Sequence, residues 1–159
     1  ANIFAVEMEP NNYLQLKKNI LQFKNAQPIF GAIYDEEKNF TISNTELAYN
    51  FKIGTIEDEF DAFTVATLTM HDLIASHHIV EIDLLKIGIE GAEERILRNN
   101  NEWLKVVKSI LIEIHEPYGF EDLKKDLGPF NFKLFPIGYE GLNMIYAVRE
   151  WQSNGFRSN

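Results

Sequence analysis

The chain has 159 residues, 45% of them hydrophobic and 25% charged, which suits one globular domain with a sizeable core. Fifteen basic residues against 24 acidic ones give a formal net charge of −9, so the chain lacks the basic stripe that nucleic-acid binding requires. The absence of cysteine excludes disulfides, thiolate metal sites and a cysteine nucleophile, and no apolar run approaches the ~20 residues of a membrane span.

Short apolar runs alternate with segments of helical periodicity along most of the chain, which predicts an α/β fold. Strands are predicted at 3–6, 28–34, 39–43, 48–53, 63–68, 83–87, 109–115, 132–136 and 143–148. Helices are predicted from a cap at Asn11 or Asn12 to residue 23, and at 70–77, 92–99 and 118–127.

This order of elements predicts a mostly parallel twisted sheet with helices on both faces. The last two strands are too close in sequence for a helix between them, so we expect an antiparallel pair at one edge. One domain is predicted over residues 1–150, followed by a polar tail at 151–159. No signal peptide is visible, and together with the lack of cysteine this predicts a cytoplasmic protein.

Three of the predicted buried strands end in polar residues, and parallel strands place such ends along one rim of a sheet. The first strand ends at Glu7, the second at Gly88 and Glu90, and the third at His115. In open α/β sheets ligands bind at this rim, so these residues are expected to share one cleft.

Each of these residues has a functional and a structural interpretation. Glu7 is a candidate for accepting hydrogen bonds from ribose hydroxyls, or a surface glutamate. His115 is a candidate general base, or a histidine hydrogen-bonded at the start of a loop. Glu90 and Glu93 either belong to the cleft or are acids of a first helical turn. The pair at 77–78 is a weak metal signal, so no metal is predicted.

Two segments resemble the FkbM-type S-adenosylmethionine-dependent methyltransferases. The run 84–93, LLKIGIEGAE, is similar to that family's "LLKIDIEGAE" signature, and 67–73 resembles the "TLDDL"-like stretch before it. The run 3–20 resembles the second strand and helix of these enzymes, and 111–115 resembles the strand after the signature.

The resemblance implies a Rossmann-like fold with an antiparallel final strand and methyl transfer from S-adenosylmethionine to an oxygen of a small molecule or glycan. It implies that Glu7 holds the ribose and that Asp35 lies near the adenine. Gly88, Glu90 and His115 would line the reaction cleft, with His115 deprotonating an acceptor hydroxyl and Glu90 positioning it.

The chain departs from the family pattern in two ways. The opening strand with its glycine-rich "DxGxNxG" loop is absent, and Gly88 stands where the family usually has aspartate. The expectation is therefore a fragment of the enzyme that binds S-adenosylhomocysteine weakly by itself. The alternative is a non-catalytic α/β scaffold or oligomerisation module. Residues 39–63 are the expected cap over the cleft, while the acceptor and any homo-oligomer cannot be read from the sequence.

Overall fold

The computed structural model describes residues 1–43, 62–89, 91–137 and 143–150, and the chain divides into two compact units, Ala1–Leu73 and Ile74–Asn159. The elements of the first unit, in chain order, are β1 (Ile3–Glu7), α1 (Pro10–Ile20), β2 (Ala26–Phe30), β3 (Ala32–Ile33), β4 (Asn39–Ser43) and β5 (Ala62–Leu68). Helix α2 (Met70–Ser76) spans the boundary between the units.

The first unit contains a parallel pair, β1 with β2, and a three-stranded sheet in which β5 lies between β3 and β4. Strand β5 is parallel to β3 and antiparallel to β4. The core of this three-stranded sheet consists of Ala32, Ile42 and Val65, packed against partly buried side chains of neighbouring residues. The predicted strand 48–53 lies outside the described residues, as does most of the expected cap at 39–63.

The predicted single strand at 28–34 is wrong, because the chain changes partner at Gly31. Strand β2 ends just before this glycine and pairs with β1, whereas β3 begins just after it and pairs with β5. A Cβ on Gly31 would lie 3.0 Å from Leu68 Cδ1 and 3.3 Å from the Ala66 carbonyl oxygen. Glycine therefore allows β5 to approach closely at the point of the switch.

Helix α1 begins two or three residues earlier than predicted, and its cap is different. The residue before the helix, Glu9, is 7% exposed, and its side chain accepts a hydrogen bond from the backbone N–H of Asn12. Pro10 occupies the first helical position, where its missing N–H costs nothing. The expected caps, Asn11 and Asn12, therefore lie inside the helix, since the Glu9 carboxylate accepts from one of the free N–H groups of the first turn.

The second unit holds β6 (Leu85–Ile87), α3 (Glu93–Arg98), β7 (Ser109–Glu113), α4 (Phe120–Leu127), β8 (Phe132–Pro136) and β9 (Met144–Arg149), with 3₁₀ turns at Asn101–Val106 and Gly128–Phe130. Its sheet has the order β6-β7-β9-β8. Strand β6 is parallel to β7, and β9 is antiparallel to both of its neighbours.

The expected antiparallel pair is present, but the C-terminal strand is not at the edge. Strand β9 lies between β7 and β8, and β8 forms the edge. Its Ile145 and Ala147 are buried, whereas Phe135 on β8 is 48% exposed, so the better-buried strand takes the inner position. Three of the six strand pairings within the described ranges are parallel and three are antiparallel, so the sheets are mixed rather than mostly parallel.

Burial alternates along the strands of this sheet, as it must when one face is packed. The buried face carries Ile87, Ile110, Ile112, Ile145 and Ala147. Buried residues of the surrounding helices and turns complete the core, namely Ile96, Leu97, Trp103, Leu104, Leu123 and Leu127. No helix in the described part of the chain is long and apolar enough to cross a membrane.

Candidate active site

The second unit brings His115 and Glu93 into direct contact, although 22 residues separate them in the chain. His115 Nδ1 contacts Glu93 Oε1. The Glu93 side chain is 1% exposed and that of His115 is 28% exposed, so a buried carboxylate holds a partly accessible imidazole. The structure therefore contains a histidine–carboxylate pair of the kind that acid–base chemistry uses.

The positions of the two residues follow from the elements that carry them. Glu93 is the first residue of α3, where the helix dipole favours negative charge. His115 lies two residues past the end of β7. Because β6 and β7 are parallel, the turn into α3 and the loop after β7 leave the sheet at the same edge.

The backbone at His115 is anchored by the start of the next segment. The His115 carbonyl accepts a hydrogen bond from the Tyr118 N–H at 3.0 Å. The Tyr118 hydroxyl donates to Asp126 Oδ2 at 3.0 Å, and Arg98 Nε lies 3.2 Å from the same oxygen. Burial raises the pKa of the Tyr118 hydroxyl, and the neighbouring Asp126 carboxylate raises it further, so the phenol remains a donor.

The pairing defines what each atom can do. A carboxylate at Nδ1 favours the tautomer with its proton on Nδ1, so that Nε2 carries the lone pair. The carboxylate also stabilises the imidazolium that forms when the ring takes a proton. Glu93 Oε2 is buried, and no described residue donates a hydrogen bond to it. Such an atom is costly in a fold, and a catalytic role is one of the explanations for its presence.

The sequence predicted catalytic roles for His115 and Glu90, with Glu90 positioning the acceptor, and none for Glu93. Glu90, three residues before Glu93, lies outside the described residues. Gly91 between them has φ +78°, a left-handed conformation that favours glycine, and it turns the chain into α3. A sequence signal for Glu93 did exist, since an acid in a first helical turn at a strand end is well placed to meet a side chain from the neighbouring parallel strand.

Glu7 and Asp35 belong to the first unit. Glu7 ends β1, is half-buried, and accepts a hydrogen bond at Oε1 from the Glu9 N–H at 2.8 Å. Asp35 lies two residues after β3 and is half-buried. Their roles toward ribose and adenine, and their convergence with His115, stay predictions.

Gly88 follows β6 by one residue and is exposed. The position that a Cβ would take on it lies 2.8 Å from Lys86 Nζ. Among the described residues, no group of three or more histidine, aspartate or glutamate side chains is placed to hold a metal ion.

Comparison with known proteins identifies the family. The family model described as "Methyltransferase FkbM domain" matches residues 1–157. The hexuronic acid methyltransferase AglP of Haloferax volcanii is 23% identical over 127 residues, which cover 79% of this chain and 52% of that protein. The chain thus spans about half the length of this curated relative. No solved structure matches this chain. On the family match over nearly its whole length, the chain belongs to the FkbM methyltransferase domain family.

Proposed function

We propose that this protein is a cytoplasmic S-adenosylmethionine-dependent methyltransferase that methylates a hydroxyl oxygen of a sugar or another small molecule. The His115–Glu93 pair carries the proposal, because attack by a hydroxyl requires a group that takes its proton. The family match supports methyl transfer, and the relative's name supports a sugar as acceptor. The charge of −9 argues against a nucleic-acid acceptor.

The residues of the first unit fit the proposed cofactor. Glu7 stands at the carboxyl end of a parallel strand, where ribose-binding carboxylates lie in nucleotide-binding sheets. Its Oε1 is held by the turn before α1, and Oε2 is the atom proposed to accept hydrogen bonds from the ribose. Asp35 is proposed to lie near the adenine. A Rossmann-like arrangement is part of the same proposal, supported by a sheet in which an antiparallel strand joins a parallel pair.

S-adenosylmethionine supplies an electrophilic methyl group on its sulfonium sulfur. His115 Nε2 would take the proton of the acceptor hydroxyl, so that its oxygen could receive the methyl group while the carbon–sulfur bond breaks and S-adenosylhomocysteine leaves. Glu93 keeps the ring oriented and stabilises the resulting imidazolium. Gly88 and Glu90 are proposed to line the cleft, with Glu90 positioning the acceptor. The main contribution of such a site is to hold the two reactants in line.

The test is calorimetry with S-adenosylhomocysteine on the 159-residue chain and on the full product of its gene, followed by methyl-transfer assays with sugar acceptors. We expect weak or absent binding by the 159-residue chain, and binding and turnover by the full product. If the full product neither binds the nucleoside nor transfers a methyl group, the proposal fails.

A non-catalytic scaffold is the second candidate. Gly88 favours it, since the family usually has a carboxylate at this position. A scaffold would bind no nucleoside, and the substitution His115→Gln would leave its function unchanged. The same calorimetry therefore separates the two candidates.

A further inference from the structure

The ammonium group of Lys86 lies in the space that a side chain at position 88 would occupy. Lys86 Nζ is 2.8 Å from the position of a Cβ built on Gly88. Lys86 lies within β6 and Gly88 directly follows its last residue, so the lysine side chain runs along the strand toward its carboxyl end. An aspartate at position 88 would displace this ammonium or neutralise it. Glycine leaves it in place.

No described residue forms an ion pair with Lys86. Lys108, just before the neighbouring strand, contacts both Glu81 and Asp83 and shows the usual arrangement in this acidic chain. Lys86 is exposed at a strand end of the kind where α/β sheets bind ligands. It therefore offers a positive charge to an anionic group of a ligand.

Lys86 and His115 belong to the same end of the same strand pair. Lys86 is level with Leu111 in the parallel register, which places Gly88 level with Glu113. His115 lies two residues further along the chain, past the end of β7. The alternation of half-buried and buried positions along β7 continues to Ile114 and His115. Lys86 and His115 therefore both belong to the carboxyl end of this parallel pair.

We propose that Lys86 binds a carboxylate of the methyl acceptor and that Gly88 provides the space for the lysine ammonium group. The acceptor is then an anionic sugar of the uronic acid class, with its carboxylate at Lys86 and the hydroxyl to be methylated at His115. This inference rests on the proposed function and deepens it by naming the charge of the acceptor. The methionine carboxylate of the cofactor has the same chemistry, so the experiment must separate the two.

The experiment compares glucuronate with glucose, which share a ring and differ at one carbon. Binding of each sugar to the purified protein is measured by NMR titration without cofactor, and KM values for each sugar and for S-adenosylmethionine are measured in the transfer assay. Lys86→Met should weaken glucuronate binding by ~10–100-fold, the effect of losing a charge-assisted hydrogen bond, and leave glucose nearly unchanged.

Three further variants act as controls. Lys86→Arg keeps the charge and should restore much of the affinity for glucuronate. Gly88→Asp places a carboxylate beside the ammonium and should weaken glucuronate binding, whereas Gly88→Ala adds volume without charge and should weaken it less. Lys133→Met removes an exposed lysine of the edge strand β8 and should have no effect.

Several outcomes would overturn the proposal. Equal loss of glucuronate and glucose binding in Lys86→Met would indicate a structural role. A rise in KM for S-adenosylmethionine alone would place the cofactor's carboxylate at Lys86. Failure of the wild-type protein to prefer glucuronate over glucose would also refute it. If methyl transfer itself fails, the cofactor-free titration still decides whether Lys86 binds the carboxylate.

Discussion

Replacing Glu93 by glutamine tests the pairing at His115 most directly. Glutamine keeps the shape of the side chain and an oxygen that can accept a hydrogen bond from Nδ1, but it removes the negative charge. Opposite charges about 4 Å apart attract by about 4 kcal/mol at an effective dielectric constant of about 20. Such a value suits a pair with one side chain 1% exposed and the other 28% exposed. At about 1.36 kcal/mol per tenfold, kcat should fall about 10³-fold.

The assay is release of S-adenosylhomocysteine under saturating cofactor and acceptor. The loss should appear in kcat, with KM for S-adenosylmethionine little changed, because Glu93 acts through His115 rather than on the cofactor. Glu94→Gln is the matched control, since this neighbouring residue makes an exposed ion pair with Arg98 and should change kcat by less than about twofold. Thermal unfolding of both variants checks that the fold is kept.

The double variant with His115→Gln provides a second check. If Glu93 acts only by orienting and stabilising the ring, removing both residues should cost no more than removing His115 alone. A kcat for Glu93→Gln close to the wild-type value, or losses that multiply in the double variant, would refute the assignment of Glu93 as the positioning residue.

Three further predictions concern residues outside the His115–Glu93 pair. Gly31→Ala should lower the free energy of unfolding by about 1–3 kcal/mol through overpacking at the strand switch, measured by urea denaturation. Tyr118→Phe should cost about 1–3 kcal/mol by removing the buried hydrogen bond to Asp126, and should lower kcat modestly by loosening the loop after β7. The hydrogen bond from Lys108 lowers the pKa of Asp83 below its ordinary value of 3.8. The pair therefore stabilises the fold above pH 3.8, and this stabilisation is lost as the pH falls through the folded-state pKa of Asp83. Lys108→Met should return the pKa of Asp83 to its ordinary value in an NMR titration.

Each of these predictions has a contrasting variant. Gly128→Ala should cost less than Gly31→Ala, because no atom beyond its chain neighbours lies within 4 Å of its added Cβ, although the following Pro129 disfavours a helical backbone at a residue with a Cβ. If Gly31→Ala is equally tolerated, close approach does not explain the strand switch. Lys105→Met should leave the titration of Asp83 unchanged, since Lys105 pairs with Glu102 instead.

The sequence determined most of the elements of this protein. The apolar run from Ile110 to Ile114 predicted a buried strand, and the alternation of burial confirms it. Helices α2, α3 and α4 lie within about two residues of their predicted positions, since periodicity and Gly128-Pro129 are local signals. The family was also readable, because the segment around Gly88 carries a specific motif that the comparison with known proteins confirms.

Only the tertiary structure decided which residues meet. The sequence named His115 as the base, but it could not show that Glu93 is its partner, because hydrogen bonds between side chains 22 residues apart depend on strand order and helix orientation. The change of strand partner at Gly31 and the inner position of β9 also depend on strand order, which local sequence patterns do not determine. Local patterns determine which segments form strands, whereas the competition to bury their apolar faces determines which strands become neighbours.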